Sequence, residues 1–444
     1  MADFARENPG LSGEDHFPPA MMRQILRGRQ NQEHEGDHNE RSLAGKGDTA
    51  YERVNVLRQR LVPQDHWMPR DRIWYQAWRG WCRDEGILDF TGWLEAELER
   101  PHLPYQQVVF ADEAQDHTPL QLAVLRGWRT QNLVLVGDDD QNLYEWSGAV
   151  PEAFFTPELP EDQERVLGTS YRVPAAVHEL ANSIVNRISR RRVKAYEPRE
   201  GDRGYVRDEP TCLAHVKEGY LPEDVLNPPG TVMLLTTCRY MLRPIISVLK
   251  QEGIPFHNPY SAASDLNPLR TTAPILEAYL DGGWKRGQIA DWLQFLAEGK
   301  ALRRREKARF LEAAERDPGA TVSADELRTL MLPEALALAM ARDVRLFTRE
   351  RRVVSLGGSN WDYAMRVYQR SDPTPKVIVG TVHSVKGGEA DHVHIYPDLS
   401  PAGYADYMSS GRDRVNRLAY VAVTRARVGV VRHTPEDVRA MMLR

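Results

Sequence analysis

The chain has 444 residues, of which 41% are hydrophobic and 27% charged, and its formal net charge is −5 at pH 7. This length supports two or three domains, and the charge excludes nucleic-acid binding through bulk positive charge while leaving a local basic groove open. The sequence has no apolar run of membrane-spanning length, no secretory signal pattern and only three cysteines, none in a CxxC pair. We therefore expect a reduced, cytoplasmic protein without membrane contact.

Residues 1–50 are rich in Gly, Asn, Glu, His and Asp and show little apolar periodicity, which predicts a flexible N-terminal segment. Residues 51–100 show helical patterns with many aromatic residues, and Trp74, Trp78 and Trp81 recur along one helix face. Such a stripe could stack on bases, but core packing is the more common role, and we expect it here.

Two short apolar runs follow, within residues 105–116 and 131–144, and each ends in acidic residues. Each is typical of a buried parallel strand that leads into a loop at its carboxyl end, and residues 118–129 between them have a helical pattern. Strand, helix and strand in this order predict an α/β sheet with a site at the edge where the strands end.

A second α/β stretch extends to the end of the sequence. Its predicted helices and strands lie within residues 174–189, 231–237, 239–253, 377–384 and 392–398. Between about 262 and 350 the sequence is strongly helical and charged, which predicts an insertion of helices inside this second domain.

The first acidic strand end presents Asp112 and Glu113. An Asp-Glu pair at such a position can hold Mg²⁺ through the first carboxylate and polarise a water through the second, which are two tasks of nucleoside triphosphate hydrolysis. Alone, the pair is weak evidence, because most such acids are merely solvated.

The second acidic strand end has three consecutive aspartates, Asp138–Asp140, which are unfavourable when buried unless cations or hydrogen-bond donors compensate them. The adjacent Gln141 could sense a γ-phosphate. Tyr144 and Trp146 follow on an irregular segment and could offer flat faces to bases, although inward packing is the alternative.

Together these segments resemble motifs of the UvrD/PcrA/Rep group of superfamily 1 DNA helicases. Five segments stand in the same order as motifs II to VI of that group, at residues 112–116, 137–149, 168–174, 379–393 and 417–427. The resemblance implies an α/β fold with RecA-like P-loop NTPase architecture. Its first RecA-like domain, incomplete, would span residues 51–165 with motifs II and III and a helical remainder of its insertion. The complete second domain would span 166–261 and 351–444, with the helical insertion at 262–350.

The resemblance also implies the cofactors ATP and Mg²⁺ and a set of nucleotide-binding residues. Asp112 would bind the metal, Glu113 would activate the attacking water, and Gln141 would contact the γ-phosphate. Five further residues complete this site: Arg172 and Arg425 as two arginine fingers, Tyr171 as a ring that stacks on the adenine, Glu389 at the ribose, and Gly388 as a further cofactor-binding residue.

The same resemblance implies a nucleic-acid surface that takes single-stranded or partly duplex DNA. Tyr144 and Trp146 would stack on single-stranded bases. Thr381, His383 and Lys386 would face the DNA backbone.

A phosphate-binding GxxxxGK[ST] loop, whose backbone N–H groups and lysine cradle the triphosphate, is not found in this sequence. In the nearest string, residues 44–49, Lys46 is followed by Gly47 and Glu40 stands where the first glycine is required. We therefore expect weak ATP hydrolysis by this chain alone and hypothesise a separate polypeptide that supplies the P-loop half. A truncated or wrongly assigned gene start is the rival explanation.

The leading hypothesis is an ATP-dependent DNA helicase or translocase, or the C-terminal part of a split one, in DNA repair, replication or recombination. The 3′-to-5′ polarity is implied by the resemblance alone. An inactive DNA-binding or regulatory remnant, or the helicase subunit of a recombination nuclease complex, is the alternative. The joint presence of Asp112, Glu113, Gln141, Arg172 and Arg425 argues against a remnant.

Overall fold

The structure is a computed structural model, and it describes residues 50–99, 107–128, 130, 132–259, 285–293, 296–341, 346, 362–363, 366–367, 370 and 374–444. The expectation of a flexible segment over residues 1–50 lies outside this description except for Ala50, which begins the first described helix. The expected limits of the helical insertion, 262 and 350, also lie outside it.

The N-terminal unit consists of three helices followed by a strand, a helix and a strand. In chain order these are α1 (Ala50–Gln59), α2 (Pro69–Asp84), α3 (Phe90–Glu99), β1 (Val108–Ala111), α4 (Pro119–Gly127) and β2 (Asn132–Leu135). Strands β1 and β2 pair in parallel with Phe110 opposite Val134, so the predicted strand, helix and strand are confirmed.

Local sequence explains where α4 begins. The Thr118 hydroxyl accepts the Gln121 backbone N–H at 3.3 Å, and the Gln121 side chain accepts the Thr118 N–H at 2.8 Å. This capping box satisfies two N–H groups at the helix start, and Pro119 at the first position fixes a helical φ.

The tryptophan stripe of α2 is core, as expected. Trp74, Trp78 and Trp81 are all buried, and consecutive rings stack with centroids 5.9 Å and 5.2 Å apart. Tyr51 of α1 packs edge-on against Trp74 and Trp78. These rings are therefore not available to stack on bases.

The second unit is a parallel six-stranded sheet with strand order β3-β8-β7-β4-β6-β5. Its strands are β3 (Tyr205–Glu209), β4 (Val232–Thr236), β5 (Phe256–His257), β6 (Val377–Thr381), β7 (Ala390–Ile395) and β8 (Ala426–His433). Its helices are α5 (Ala175–Val185), α6 (Leu213–Lys217), α7 (Glu223–Leu226), α8 (Leu242–Gln251), α13 (Pro401–Met408) and α14 (Arg412–Val423).

Both faces of this sheet are covered, as a parallel sheet requires. On β4, Met233 and Leu235 belong to the core formed with α5 and α14, whereas Val232 and Leu234 belong to the core formed with α8. The alternation places two separate apolar cores on opposite sides of one sheet.

The described part of the helical insertion has a core of its own. It contains α9 (Arg286–Leu293), α10 (Glu306–Arg316), α11 (Ala324–Leu330) and α12 (Pro333–Met340), packed around residues such as Phe310 and Leu327. The mixed α/β architecture with parallel sheets agrees with a RecA-like fold, while the incompleteness of the first domain stays a prediction. Among the described helices we find none with the length and apolar character that a membrane crossing requires.

Candidate nucleotide and nucleic-acid site

The two strand ends of the N-terminal unit meet through one buried side chain, Gln115. Its Nε2 donates to Glu113 Oε2 at 2.5 Å, and its Oε1 accepts the backbone N–H of Asp138 at 2.9 Å. Ala114 N–H also donates to the Val136 carbonyl at 2.8 Å. Sequence reasoning missed Gln115, although its position inside the Asp-Glu-Ala-Gln-Asp string was a signal.

Glu113 has a φ of 51°, in the left-handed region that is uncommon for residues other than glycine. Such strain is typical of functional sites, where the surrounding structure holds the backbone in place. Here the Gln115 contact holds the side chain, which is 51% exposed and therefore open to a bound water.

The Asp112 carboxylate is suited to coordinate Mg²⁺. Its side chain is exposed, one oxygen accepts the Glu113 N–H at 2.9 Å, and no basic side chain in the described part of the chain pairs with it. Mg²⁺ takes few protein carboxylates and keeps waters and phosphate oxygens, so a single accessible carboxylate suits it.

Arg425 crosses from the second unit to the first. The residue is 2% exposed, and its Nη2 donates to Gln141 Oε1 at 3.2 Å and its Nη1 to the Gly388 carbonyl at 3.2 Å. Burial, followed by the charge of Arg172, lowers the pKa of Arg425 to about 10. Arg425 therefore stays charged at neutral pH, and no carboxylate in the described part of the chain forms an ion pair with it.

The other expected nucleotide residues of the second unit lie beside it. Arg172 Nε donates to Glu389 Oε2 at 2.7 Å, and Arg427 Nη1 contacts the other oxygen of Glu389 at 3.3 Å. Tyr171 is 88% exposed, so its ring is available for stacking. The structure thus brings Arg172, Arg425 and Glu389 together with Gln141 at one cleft.

The three aspartates after β2 are neutralised by the segment that follows α5. Lys194 Nζ lies 2.9 Å, 2.5 Å and 2.7 Å from the carboxylates of Asp138, Asp139 and Asp140, respectively. Arg191 binds both oxygens of Asp140, at 2.8 Å and 2.7 Å. Although burial opposes it, the aspartate charges raise the pKa of Lys194. Protein cations therefore compensate the charges of buried Asp139 and Asp140 and of half-buried Asp138.

Lys386 lies against two carboxylates of the N-terminal unit. Its Nζ contacts the Asp116 carboxylate, donates to the Gln141 carbonyl at 2.9 Å and lies 3.6 Å from Glu113 Oε2. The same Nζ lies 5.3 Å from the centroid of the Tyr144 ring. Its side chain is 8% exposed, so a DNA-backbone contact stays a prediction that requires Lys386 to leave these carboxylates.

Tyr144 and Trp146, here called the aromatic pair, lie near His383 of the loop after β6. The rings of Tyr144 and Trp146 are 6.2 Å apart and inclined at 55°, and Trp146 lines a small cavity of about 50 Å³ with His383. Burial, followed by the charge of Lys386, lowers the pKa of His383 to about 4, so this ring is neutral at neutral pH. Thr381 is buried, and its hydroxyl accepts the Ser384 N–H at 3.2 Å.

Comparison with known proteins finds similarity in the segment that contains the ends of β1 and β2. Residues 98–158 match the UvrD/REP helicase N-terminal domain family. Over this segment the chain is similar to UvrD-like helicases. The UvrD-like segment contains Asp112, Glu113 and Gln141 together with the aromatic pair.

Three curated UvrD-like relatives illustrate the similarity. DNA helicase II of Salmonella typhimurium is 31% identical over 138 residues, which is 28% of this chain and 19% of the relative. DNA helicase II of Escherichia coli is 30% identical over the same length, and covers the same shares of the two chains. DNA helicase IV of Escherichia coli is 32% identical over 121 residues, or 25% of this chain and 18% of the relative. The match therefore spans about a fifth of the length of these relatives.

Proposed function

We propose that the chain is the motor part of an ATP-dependent DNA helicase or translocase of the UvrD type. The observation that carries this proposal is the contact of Arg425 with Gln141, which joins the two units at the cleft containing Glu113. In nucleoside triphosphate hydrolysis, charge develops on the transferring phosphoryl group and a water attacks it in line. Arg425 from the second unit would stabilise the charge on the phosphoryl group. Glu113 from the N-terminal unit would orient the attacking water at the same cleft.

Each residue then has a defined task. Glu113 orients and polarises the attacking water, and Gln141 contacts the terminal phosphate through the side chain that also meets Arg425. Arg172 and Arg425 neutralise the transferring phosphoryl group, a contribution that accelerates such reactions by about 10³–10⁵-fold. Magnesium held by Asp112 would supply charge neutralisation between the phosphates.

The phosphate cradle is the part that this sequence does not supply, and the N-terminal sheet offers a surface for it. Val108 and Phe110 of β1, Val134 of β2 and Val136 just after β2 are 46%, 73%, 38% and 42% exposed. Because parallel sheets have both faces covered, this bare apolar face requires a covering element. We propose that a P-loop-bearing strand and helix on a separate polypeptide covers it and brings backbone N–H groups to the strand ends.

The decisive experiment measures ATP turnover by the purified chain with and without single-stranded DNA, alone and with a P-loop polypeptide encoded beside it. We expect low turnover alone, and DNA-stimulated turnover in the mixture that Glu113→Gln abolishes. Turnover that Glu113→Gln leaves intact would contradict the proposed chemistry. DNA binding without turnover in either condition would instead favour the regulatory remnant.

A further inference from the structure

Arg427 joins the start of strand β8 to the start of strand β7 through two ion pairs. Its Nη1 lies 3.3 Å from Glu389 Oε1, and its Nη2 lies 2.9 Å from Asp391 Oδ1. Glu389 directly precedes β7, Asp391 is the second residue of β7, and Arg427 is the second residue of β8. We call Glu389, Asp391 and Arg427 the strand-start cluster. A guanidinium can bridge two carboxylates in this way because its donors form a rigid, planar fork.

The Asp391 side of the strand-start cluster is fixed to the backbone. Asp391 Oδ2 accepts both the N–H and the hydroxyl of Thr231, each at 2.8 Å, and the Thr231 hydroxyl accepts the Asp391 N–H at 2.9 Å. Gly230 leaves space for this carboxylate, since a Cβ there would lie 2.7 Å from Asp391 Oδ2. The pairing register of β7 with β8 also shifts between Ala390 and His392. Such irregularities direct a side chain near functional sites, and here that side chain is Asp391.

The Glu389 side of the strand-start cluster holds an arginine that the proposed chemistry places on the phosphoryl group. Arg172 Nε donates to Glu389 Oε2 at 2.7 Å, and the Ser170 hydroxyl accepts the Arg172 backbone N–H at 3.3 Å. Among the described residues, no hydrogen bond reaches the two Nη atoms of Arg172, so these donors are open to phosphate oxygens. The hydrogen bond from Arg172 lowers the pKa of Glu389, although burial opposes it. Glu389 therefore stays ionised at neutral pH.

The two arginines of the proposed cleft are held in different ways. Arg425 is 2% exposed, so its surroundings restrict it on all sides. The side chain of Arg172 is 33% exposed, and its guanidinium depends on Glu389 for a fixed orientation. An exposed arginine loses rotamer freedom when it is ordered, and donors ordered in advance stabilise developing charge without reorganisation. The orientation of Glu389 is therefore important for the action of Arg172.

We propose that Arg427 is a positioning residue for phosphoryl transfer, which acts through Glu389 to hold the Arg172 guanidinium in the nucleotide cleft. This inference rests on the proposed function and adds to it a residue outside the reacting groups. Asp391 supports Arg427 from the opposite side, so the two ion pairs of Arg427 act in series. Because Arg427 acts through Arg172, its removal should matter only while Arg172 is present.

The test measures kcat and KM for DNA-stimulated ATP turnover by the assembly of the chain with the P-loop polypeptide. The unaltered chain is compared with Arg427→Gln, Arg172→Gln and the double variant. The matched control is Arg432→Gln, near the other end of β8. Arg432 also forms an ion pair, with Asp208 at 2.8 Å, and its Nε, like that of Arg427, is buried without a hydrogen-bond partner in the described part of the chain.

We expect Arg427→Gln to lower kcat roughly tenfold and to change the KM for ATP less than about twofold, because the lost contact serves the transition state. Arg172→Gln should lower kcat by about 10³-fold. In the Arg172→Gln background, Arg427→Gln should cost less than about a further twofold, since residues that act as one unit are not additive. Arg432→Gln should leave both constants within about twofold of the unaltered values.

A second variant tests the strand-start cluster from its other side. Asp391→Asn weakens the support of Arg427 and should lower kcat roughly threefold, again only while Arg172 is present. Circular dichroism checks that each variant folds, and Asp391→Asn supplies the test if Arg427→Gln does not fold.

Equal kcat losses from Arg427→Gln with and without Arg172 would overturn the inference and leave the proposed function standing. A rise in KM with an unchanged kcat would also overturn it, because Arg427 would then serve nucleotide binding alone. If the unaltered assembly hydrolyses no ATP, the proposed function fails and the inference fails with it.

Discussion

At the scale of single residues, the amide of Gln141 connects charge in one unit to charge in the other. Lys194 pairs with Asp138, Asp138 accepts from Gln141 Nε2 at 2.8 Å, and Gln141 Oε1 accepts from Arg425. Because a carboxylate can only accept, Asp138 fixes which end of the amide faces Arg425. Asp138 is therefore a positioning residue that acts through Gln141.

We expect Asp138→Asn to lower DNA-stimulated kcat roughly tenfold with little change in KM for ATP, since one charge-assisted hydrogen bond is worth about 1.5–3 kcal/mol. Steady-state kinetics of the ATP-hydrolysing assembly measures both constants. Asp139→Asn is the matched control, because it also removes a carboxylate from Lys194 but does not contact Gln141. Equal kcat losses in the two variants would show that Asp138 has only a structural role.

At the scale of elements, strands β7 and β8 hold a buried histidine pair that ties the sheet to α7. His394 Nδ1 lies 3.0 Å from His433 Nε2, and the other nitrogen of His394 lies 3.2 Å from Asp224. His433 Nδ1 lies 3.1 Å from the Thr211 carbonyl oxygen and 3.0 Å from the Thr211 hydroxyl. Burial, followed by the charge of His394, lowers the pKa of His433 to about 3.

A depressed histidine pKa makes the fold sensitive to acid. Below about pH 6.5 the unfolded chain protonates this side chain while the folded chain does not, so stability falls as pH drops toward 3. We expect His433 alone to account for a loss of about 2 kcal/mol between pH 7 and pH 5. Urea unfolding at both pH values should show a smaller loss for His433→Gln than for the unaltered chain. His66→Gln, an exposed histidine, should leave the loss unchanged, and the same loss in all three proteins would refute the assignment.

The sequence predicted those elements whose residues are buried on both faces. β4 and β6 are buried throughout, and their apolar runs stood out in the sequence. β3 did not, because it is an edge strand in which three of five residues, Arg207, Asp208 and Glu209, are charged. The sequence also did not reveal the ion-pair partners of the three aspartates. Arg191 and Lys194 lie more than 50 residues away in the sequence, and only the fold brings them close to the acids. The resemblance to helicase motifs located the candidate site residues in the sequence, but it did not predict the contacts between them.

At the scale of the whole molecule, the N-terminal sheet is the smaller of the two sheets in the described part of the chain. It has two strands, whereas the sheet of the second unit has six. One face of it presents Phe110, which is 73% exposed, beside three valines. Exposed apolar patches of this kind mark interaction sites or aggregation liabilities.

We expect Phe110→Asp to reduce concentration-dependent self-association of the isolated chain, because it places a charge on the apolar face. The same substitution should prevent the P-loop polypeptide from restoring ATP turnover. Light scattering and the turnover assay measure the two effects. Phe90→Asp, at a phenylalanine that is 59% exposed on α3, is the control, and matching effects of the two substitutions would argue against this docking face.

The ion pairs of Lys194 with Asp138, Asp139 and Asp140 have a practical consequence for purification. The carboxylates of Asp139 and Asp140 are almost inaccessible to solvent, so dissolved ions screen their pairs with Lys194 weakly, whereas the exposed arginines at 303–305 are open to screening. A concentrated salt wash during purification should remove contaminating nucleic acid from the protein. The ion pairs between the two units should remain formed. Returning the sample to dilute buffer should then recover DNA binding without a refolding step.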